Sequence, residues 1–499
     1  MNLTSSVFFL FLLVLFVLYY SMPSFQKYIL LFGSIFFYIT VSTTGVIRTC
    51  ILIAYIGSIT YFGGIIIDRC KGYLKSLVLF LCVTGIVGAL VVLKYAYNIT
   101  AVFCEILRLP YEFSWIKFAG IIGVSYYSLT AIGYLIDVYR NIYKAERKIS
   151  DVLLFVFYFP QIISGPVTRF SDMHEKLVKK HRINYGTITL GMRRMAWGYF
   201  KKLVISERFA VIVSTVYGEY SKFSMIGIIA ATICYAVQLY TDFSGCMDII
   251  MGASLLFGVE LPENFDAPFF SETLTEFWRR WHITLGTWFK DYVMYPIQKS
   301  DLMQGVGRWA KKYFGKKFGK KIPFYLSMVV LWTLIGIWHG GTGYYFIASG
   351  AIPCALLMLS DIMQLLFTKS RERDKFGVFS RMLRRLRTLL LVCISWIVVC
   401  SNGTYNFINV VRHVVTHPVN TSFDIDNLRV FNFGIRDMSM IVGLVVLCLA
   451  DYLTYKGTSI FEELNKRNFW IRTAMIYLEL LFIMMFGVMG TSSFIYFKF

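Results

Sequence analysis

A helix that crosses a bilayer needs roughly 20 consecutive, mostly apolar residues, and stretches of that kind recur along nearly all of this 499-residue chain. They centre on residues 7–20, 28–42, 48–67, 74–97, 118–139, 190–215, 224–240, 246–258, 322–338, 344–367, 388–400, 438–455 and 473–490, and predict about 10 to 13 membrane helices and re-entrant segments. Composition points the same way. The chain is 57% apolar or aromatic and 16% charged, with a mean hydropathy of +0.61, where a soluble domain carries about a quarter charged residues. A soluble globular enzyme is excluded, and with 45 Phe, 33 Tyr and only 10 Pro so are disordered and collagen-like chains. The expected fold class is an all-α polytopic membrane protein. No basic residue precedes the apolar run from Val7 to Tyr20 and no small-x-small site follows it, so this run is expected to stay as a first membrane helix. Residues 151–167 end in Phe159-Pro160 and Ser164-Gly165-Pro166; such a segment is expected to dip into the membrane shielded by protein.

The formal charge of +21 would suggest nucleic acid on a soluble domain, but its placement argues against nucleic acid. Basic residues cluster between apolar spans, at Arg308, Lys311, Lys312, Lys316, Lys317, Lys320 and Lys321, and again from Lys369 to Arg387. That is the pattern of cytoplasmic loops. The basic loops 300–321 and 369–387 are therefore expected inside the cell, and the polar stretch 401–437, one span further on, outside it. No fixed-period repeat and no matched pair of broken helices stands out, so residues 1–499 read as a single membrane domain. The ten cysteines lie scattered without a C-x-x-C pair or a paired Cys/His spacing for zinc; they read as small buried hydrophobes, with no metal expected.

Of six histidines, His174, His181, His413 and His417 sit in polar stretches and read as solvated. His339 ends the apolar run Leu331-Trp-Thr-Leu-Ile-Gly-Ile-Trp-His-Gly-Gly341, with no other charged residue between Ile322 and Ser360. An ionisable group at membrane depth is a functional candidate, and a neutral imidazole makes a good general base. The alternative is a neutral histidine capping a helix end. Gly336, Gly340, Gly341 and Gly343 would let backbone or substrate approach, and Trp338 supplies a rigid wall with one donor.

The segment Glu276–Asp291 reads as an amphipathic helix, with Trp278, Trp281, Leu285 and Trp288 on one face and Arg279, His282 and Lys290 on another. Spacing alone favours an interfacial helix with aromatic anchors and snorkelling cations. The other reading has Arg279, Arg280 and Lys290 hold the phosphates of a cytoplasmic donor, with His282 near the reaction path. Gln238, Asp242, Ser244 and Asp248 interrupt an apolar region. They must be paired or line a watery cavity, and a broken helix whose side chains satisfy freed backbone groups competes evenly with a tunnel lining. Asp137 and Arg140 are read as marking a cytoplasmic helix end. There is no phosphate-cradling G-x-x-x-x-G-K-[ST], no H-E-x-x-H and no G-x-S-x-G elbow.

Asp242-Phe-Ser-Gly245, Leu261-Pro-Glu-Asn-Phe-Asp266, Glu276-Phe-Trp-Arg-Arg-Trp-His282 and Trp338-His-Gly340, in that order and spacing, resemble the membrane-bound O-acyltransferase (MBOAT) family. The likeness runs from Tyr19-Tyr20 through Gly123–Arg140 and Ser164-Gly-Pro166 to Phe494–Phe499. It is strongest to the branch that O-acetylates alginate, and next to the proteins that export D-alanine to teichoic acids. After the Trp-His motif the chain departs from the branch, having Asp291-Tyr-Val-Met-Tyr-Pro-Ile-Gln-Lys299 in place of a pattern ending in Gly-Gly. The resemblance implies a ring of membrane helices around a tunnel. His339 matches the family's catalytic histidine and His282 a second one. It implies a multi-pass protein of the bacterial plasma membrane that passes an acyl group, acetyl by branch, from a cytoplasmic thioester to a hydroxyl of a surface glycan or of an extracytoplasmic acetyltransferase-like partner. The donor would be acetyl-CoA or an acyl carrier protein, used as substrate with no bound cofactor. D-alanyl transfer by the same fold is the nearer alternative, and a lipid or glycan transporter the more distant one.

Overall fold

The computed structural model describes all residues except 43–44, 108–122, 163, 341–342, 368–376, 402, 418–433, 491–493 and 495–499. Among the described residues the chain is helical throughout, and its one ladder-like contact is an isolated bridge between Phe265 and Trp281. Gly341, residues 118–122, the basic residues Lys369, Arg371, Arg373 and Lys375, residues 402 and 418–433 of the 401–437 stretch and all but Phe494 of the closing 494–499 segment lie outside the described residues.

Among the described residues, seven helices are long and apolar enough to cross a bilayer: Val46–Arg69, Gly72–Ala96, Met225–Leu255, Ile322–His339, Gly343–Leu366, Asp437–Tyr455 and Phe469–Phe486. Two further apolar helices, Ser6–Ser21 and Gln26–Val41, have 16 residues each, about 24 Å of rise against roughly 30 Å of hydrocarbon. Apolar side chains stay exposed on these helices, Leu10, Leu13 and Phe32 among them, and a surface of that kind is stable only against lipid.

The expected spans 224–240 and 246–258 are one continuous helix, Met225–Leu255. Thr232 and Thr241 donate their hydroxyls to the carbonyls of Ile228 and Val237 within the helix, as buried hydroxyls on helices do, and Asp242, Ser244 and Asp248 find partners on other segments. The expected span 190–215 is instead three pieces, Tyr185–Tyr199, a π-helix Phe200–Ser206 and Glu207–Gly218. Residues 388–400 close a longer helix, Val378–Cys400, whose first half carries Arg381, Arg384, Arg385 and Arg387. The basic stretch 300–321 is a helix, Asp301–Gly319, kinked at Gly315 where φ is 74°. It exposes Trp309, Tyr313 and Phe314 beside its lysines, the makeup of a helix lying in the headgroup layer. The 151–167 segment holds a nine-residue helix, Ile149–Phe157, too short to span and fully enclosed at Val152 and Phe157. Of the cysteines, all free, Cys50 and Cys448 are exposed and the rest buried or partly so.

The chain falls into two compact units: residues 1–199, 245–262 and 490–499, and residues 200–244 and 263–489. The first is built on an aromatic core in which Phe37 packs on Phe8, Phe11 and Phe159, and the hydroxyl pairs Tyr38–Tyr127 and Tyr158–Ser254 lie in hydrogen-bond contact at 2.9 Å. Within it Tyr185–Tyr199 crosses residues 245–255 on glycines. A Cβ on Gly198 would lie 2.6 Å from the Gly245 carbonyl oxygen, and one on Gly191 2.7 Å from that of Gly252, the close approach that small residues allow between membrane helices. The second unit carries the motif residues described next.

Candidate functional site

Four segments of the second unit converge. The helix Met225–Leu255 brings Asp242, Phe243 and Ser244, fully or almost fully buried. The 263–266 strap brings Asn264, the short helices around residue 282 bring the first histidine, and Ile322–His339 ends in Trp338 and His339.

The amphipathic helix expected over Glu276–Asp291 is broken in the middle. Leu274–Arg280 stops, Trp281 is extended, His282 takes a left-handed backbone at φ 47° and ψ 54°, and a new helix runs Ile283–Phe289 into a π-helix Lys290–Met294. For a residue with a Cβ that conformation costs about 1–2 kcal/mol, and hydrogen bonds from the strap hold it. Asn264 accepts at its backbone oxygen from the Ile283 amide, and at Oδ1 from both the amide and the hydroxyl of Thr284. The Asp266 amide donates to the Arg280 carbonyl, and Phe265 bridges to Trp281. The Leu261–Asp266 and Glu276–His282 motifs thus form one construction whose product is the placement of His282. The tryptophan stripe is protein core and not a membrane anchor: Trp281, Leu285 and Trp288 are buried, and Trp281 lies among Phe277, Phe265 and Trp396 at 5.1–5.5 Å.

His282 is 5% exposed. Its ring stands edge-on to Phe243 at 4.8 Å and at 6.4 Å from Trp338, which lies 4.9 Å from the His339 ring. Trp338 therefore faces both imidazoles. Burial first, and the nearby His339 second, hold the His282 ring well below its ordinary 6.5, so it is neutral at physiological pH. His339 is only partly buried, so it is the more reachable of the two. Two of its neighbouring glycines serve packing, since a Cβ on Gly340 would meet the Tyr345 ring at 2.3 Å and one on Gly336 would meet Phe346 O and Gly350 Cα at 3.0–3.1 Å, while a Cβ on Gly343 would meet nothing within 4 Å.

Asp242 and Ser244 are paired, and their partners are residues that sequence reasoning missed. The π-helix turns two consecutive lysines inward. Lys202 Nζ lies 2.6 Å from Asp242 Oδ1 and 2.5 Å from Glu207 Oε1, while Lys201 Nζ donates to Ser244 Oγ at 2.9 Å. Lys202 is 1% exposed and Lys201 4%; the signal was in view as two lysines inside an apolar span. Gln238 presents its backbone oxygen to Ser206, and its buried Oε1 takes no hydrogen bond among the described residues. Asp248, in the first unit, is held by Arg194 at 2.9 Å.

The three cations expected together separate in role. Arg280 is committed to Glu276 and Asp266 and stacks on Tyr455. Arg279 is exposed. Lys290 is half-buried, and burial followed by the charge of Arg279 lowers its pKa. Among the four histidines set aside, His181 bonds the Lys176 carbonyl, His413 bonds that of Phe223 and stacks on His417, and His174 faces Glu146 and Asp151.

Residues 125–303 match the MBOAT, membrane-bound O-acyltransferase, family model; His282 falls inside that stretch and His339 beyond it. The chain is 31% identical over 285 residues to a "Probable alginate O-acetylase" of Pseudomonas syringae pv. tomato, covering 57% of this chain and 49% of the relative. It is 27% identical to a peptidoglycan O-acetyltransferase of Helicobacter pylori, covering 58% and 52%. To a teichoic acid D-alanyltransferase of Streptococcus thermophilus it is 26% identical, covering 52% and 61%. The chain spans about half the length of the curated relatives it matches.

Proposed function

We propose, from the match of residues 125–303 to the MBOAT family model, that the chain is a membrane O-acyltransferase that moves an acetyl group from a cytoplasmic thioester to a hydroxyl at the cell surface. The observation that carries the reading is the meeting of His282 and His339 around Trp338, one imidazole buried and neutral, the other accessible.

In this mechanism a ring nitrogen of His339 takes the proton of the acceptor hydroxyl as its oxygen attacks the thioester carbonyl, turning a weak nucleophile into an effective one. The C–S bond breaks as the tetrahedral intermediate collapses, the new ester C–O bond remains, and the thiolate leaves with the proton that His339 holds. His282 is kept neutral beside it, so it adds no positive charge that would lower the basicity of His339. Arg279 and Lys290 are two nearby cations whose mutual repulsion an anion relieves; they suit the phosphate of a coenzyme A or carrier-protein thioester. The acceptor is a glycan hydroxyl or the hydroxyl of an extracytoplasmic partner that passes the acyl group on, and the chain resides in the bacterial plasma membrane.

The test compares alkali-released acetate and D-alanine from surface polymers of cells carrying the wild-type chain or His339→Ala at equal membrane abundance. Loss of acetate alone is expected. Loss of D-alanine alone assigns the other acyl group, and no change in either overturns the catalytic role of His339 and favours transport without chemistry.

A further inference from the structure

Away from the histidine pair, in the first unit, three side chains from three separate segments converge. Glu146 comes from the connection after Val124–Tyr139, Asp151 from the first turn of Ile149–Phe157, and His174 from the helix Phe170–Val178. His174 Nε2 lies 3.3 Å from Glu146 Oε2 and 3.6 Å from Asp151 Oδ2, and one ligand atom from each residue falls within 4.8 Å of the others. We propose that Glu146, Asp151 and His174 form a divalent transition-metal site of the Zn²⁺ type.

Two independent features support a metal over a plain ion pair. The first is the allocation of oxygens. Glu146 commits Oε1 to the amide of Lys148, and Asp151 commits Oδ1 to Lys27 and Ser150; each carboxylate turns its other oxygen to His174. That is how outer partners orient metal-binding carboxylates. The second is the imidazole. Its Nε2 is buried yet donates no hydrogen bond to either oxygen, while the ring is stacked on Phe170 at 4.6 Å, which fixes its plane.

The spacing also suits zinc. Bonds of about 2.0–2.2 Å in a tetrahedron place neighbouring ligand atoms roughly 3.3–3.6 Å apart, the separations found from His174 Nε2. An imidazole with two carboxylates favours zinc or manganese over the all-oxygen preference of calcium and magnesium. The side chains of His174 and Glu146 are 30% and 20% exposed, so an ion has an entry path and a solvent ligand can complete the shell. Bound there, it ties the largely exposed connection 140–148 and the buried helix Ile149–Phe157 to the helix Phe170–Val178, in a chain with no disulfide among the described residues.

The full chain, purified in detergent and stripped with a chelator, is dialysed against Zn²⁺ and its metal content measured, alongside His174→Gln and Glu146→Gln. The expected result is one Zn²⁺ retained per wild-type chain and a melting temperature raised by Zn²⁺, both lost in the variants. No retained Zn²⁺, or retention undiminished in both folded variants, overturns the site. If the variants fail to fold, X-ray absorption of the Zn²⁺-loaded wild type decides. One imidazole with oxygen ligands supports the assignment, and sulfur or several imidazoles overturn it.

Discussion

Thr284 donates both its amide and its hydroxyl to a single oxygen, Asn264 Oδ1, and that oxygen sits one residue before the bridge that pins Trp281. This buried side chain holds the left-handed turn at His282 together with the backbone bonds of Asn264 and Asp266. Asn264→Ala removes the oxygen that accepts from both the Thr284 amide and hydroxyl, at about 1–3 kcal/mol, and loosens the hold on the left-handed backbone of His282. A misplacement of that size is expected to lower acyl transfer roughly 10- to 100-fold, measured as acetate release at matched membrane abundance; unchanged activity would show that His282 does not need its present position. Residues of this kind mark the limit of what could be read at the start. His339 was legible as an ionisable group ending an apolar run, because solvation cost singles it out whatever surrounds it. Lys201 and Lys202 were in plain view as well, but their role depended on Asp242, Ser244 and Glu207 lying across from them, which spacing along one helix does not reveal.

Helix boundaries followed the same logic. A 3.6-residue pattern over 276–291 suggested one helix, yet the backbone breaks at His282 because bonds from residues 264–266 outweigh the two or three helical bonds lost there. The opposite happened in Met225–Leu255, which runs unbroken although Asp242, Ser244 and Asp248 interrupt its apolar sequence, because Lys202, Lys201 and Arg194 of other segments partner them. Glycines decide how closely such elements can approach. A Cβ on Gly252 would lie 2.5 Å from the Gly191 carbonyl oxygen and 2.8 Å from the Met195 amide nitrogen; the Met195 side chain, at 2.6 Å, can move aside, but those two backbone atoms cannot. Gly252→Ala is therefore expected to destabilise by about 1–3 kcal/mol, seen as a lower melting temperature in detergent. Gly88→Ala, on a helix with open space around the position, is expected to be neutral or stabilising; equal effects would contradict the packing argument.

For the whole molecule, hydrophobicity and charge decide placement in the bilayer before any packing forms. Spans of this length and composition partition into hydrocarbon, and the excess of Lys and Arg in 300–321 sets its side. With Lys312 exposed on the helix Asp301–Gly319, Lys312→Cys is expected to react with a membrane-impermeant maleimide in inverted vesicles and not in intact cells. Labelling of intact cells above the background of the native cysteines would reverse the topology. That the chain is helical, crosses a membrane repeatedly and carries an ionisable group at the end of a span was determined by the sequence alone, because burial of apolar surface and the cost of a charge in lipid are local properties of a segment. Which spans merge, where the motif helix breaks, and which lysine neutralises which carboxylate were decided only by the tertiary structure. Those outcomes depend on hydrogen bonds and ion pairs between residues far apart in the chain, and a buried polar group takes whichever partner the fold brings within about 3 Å.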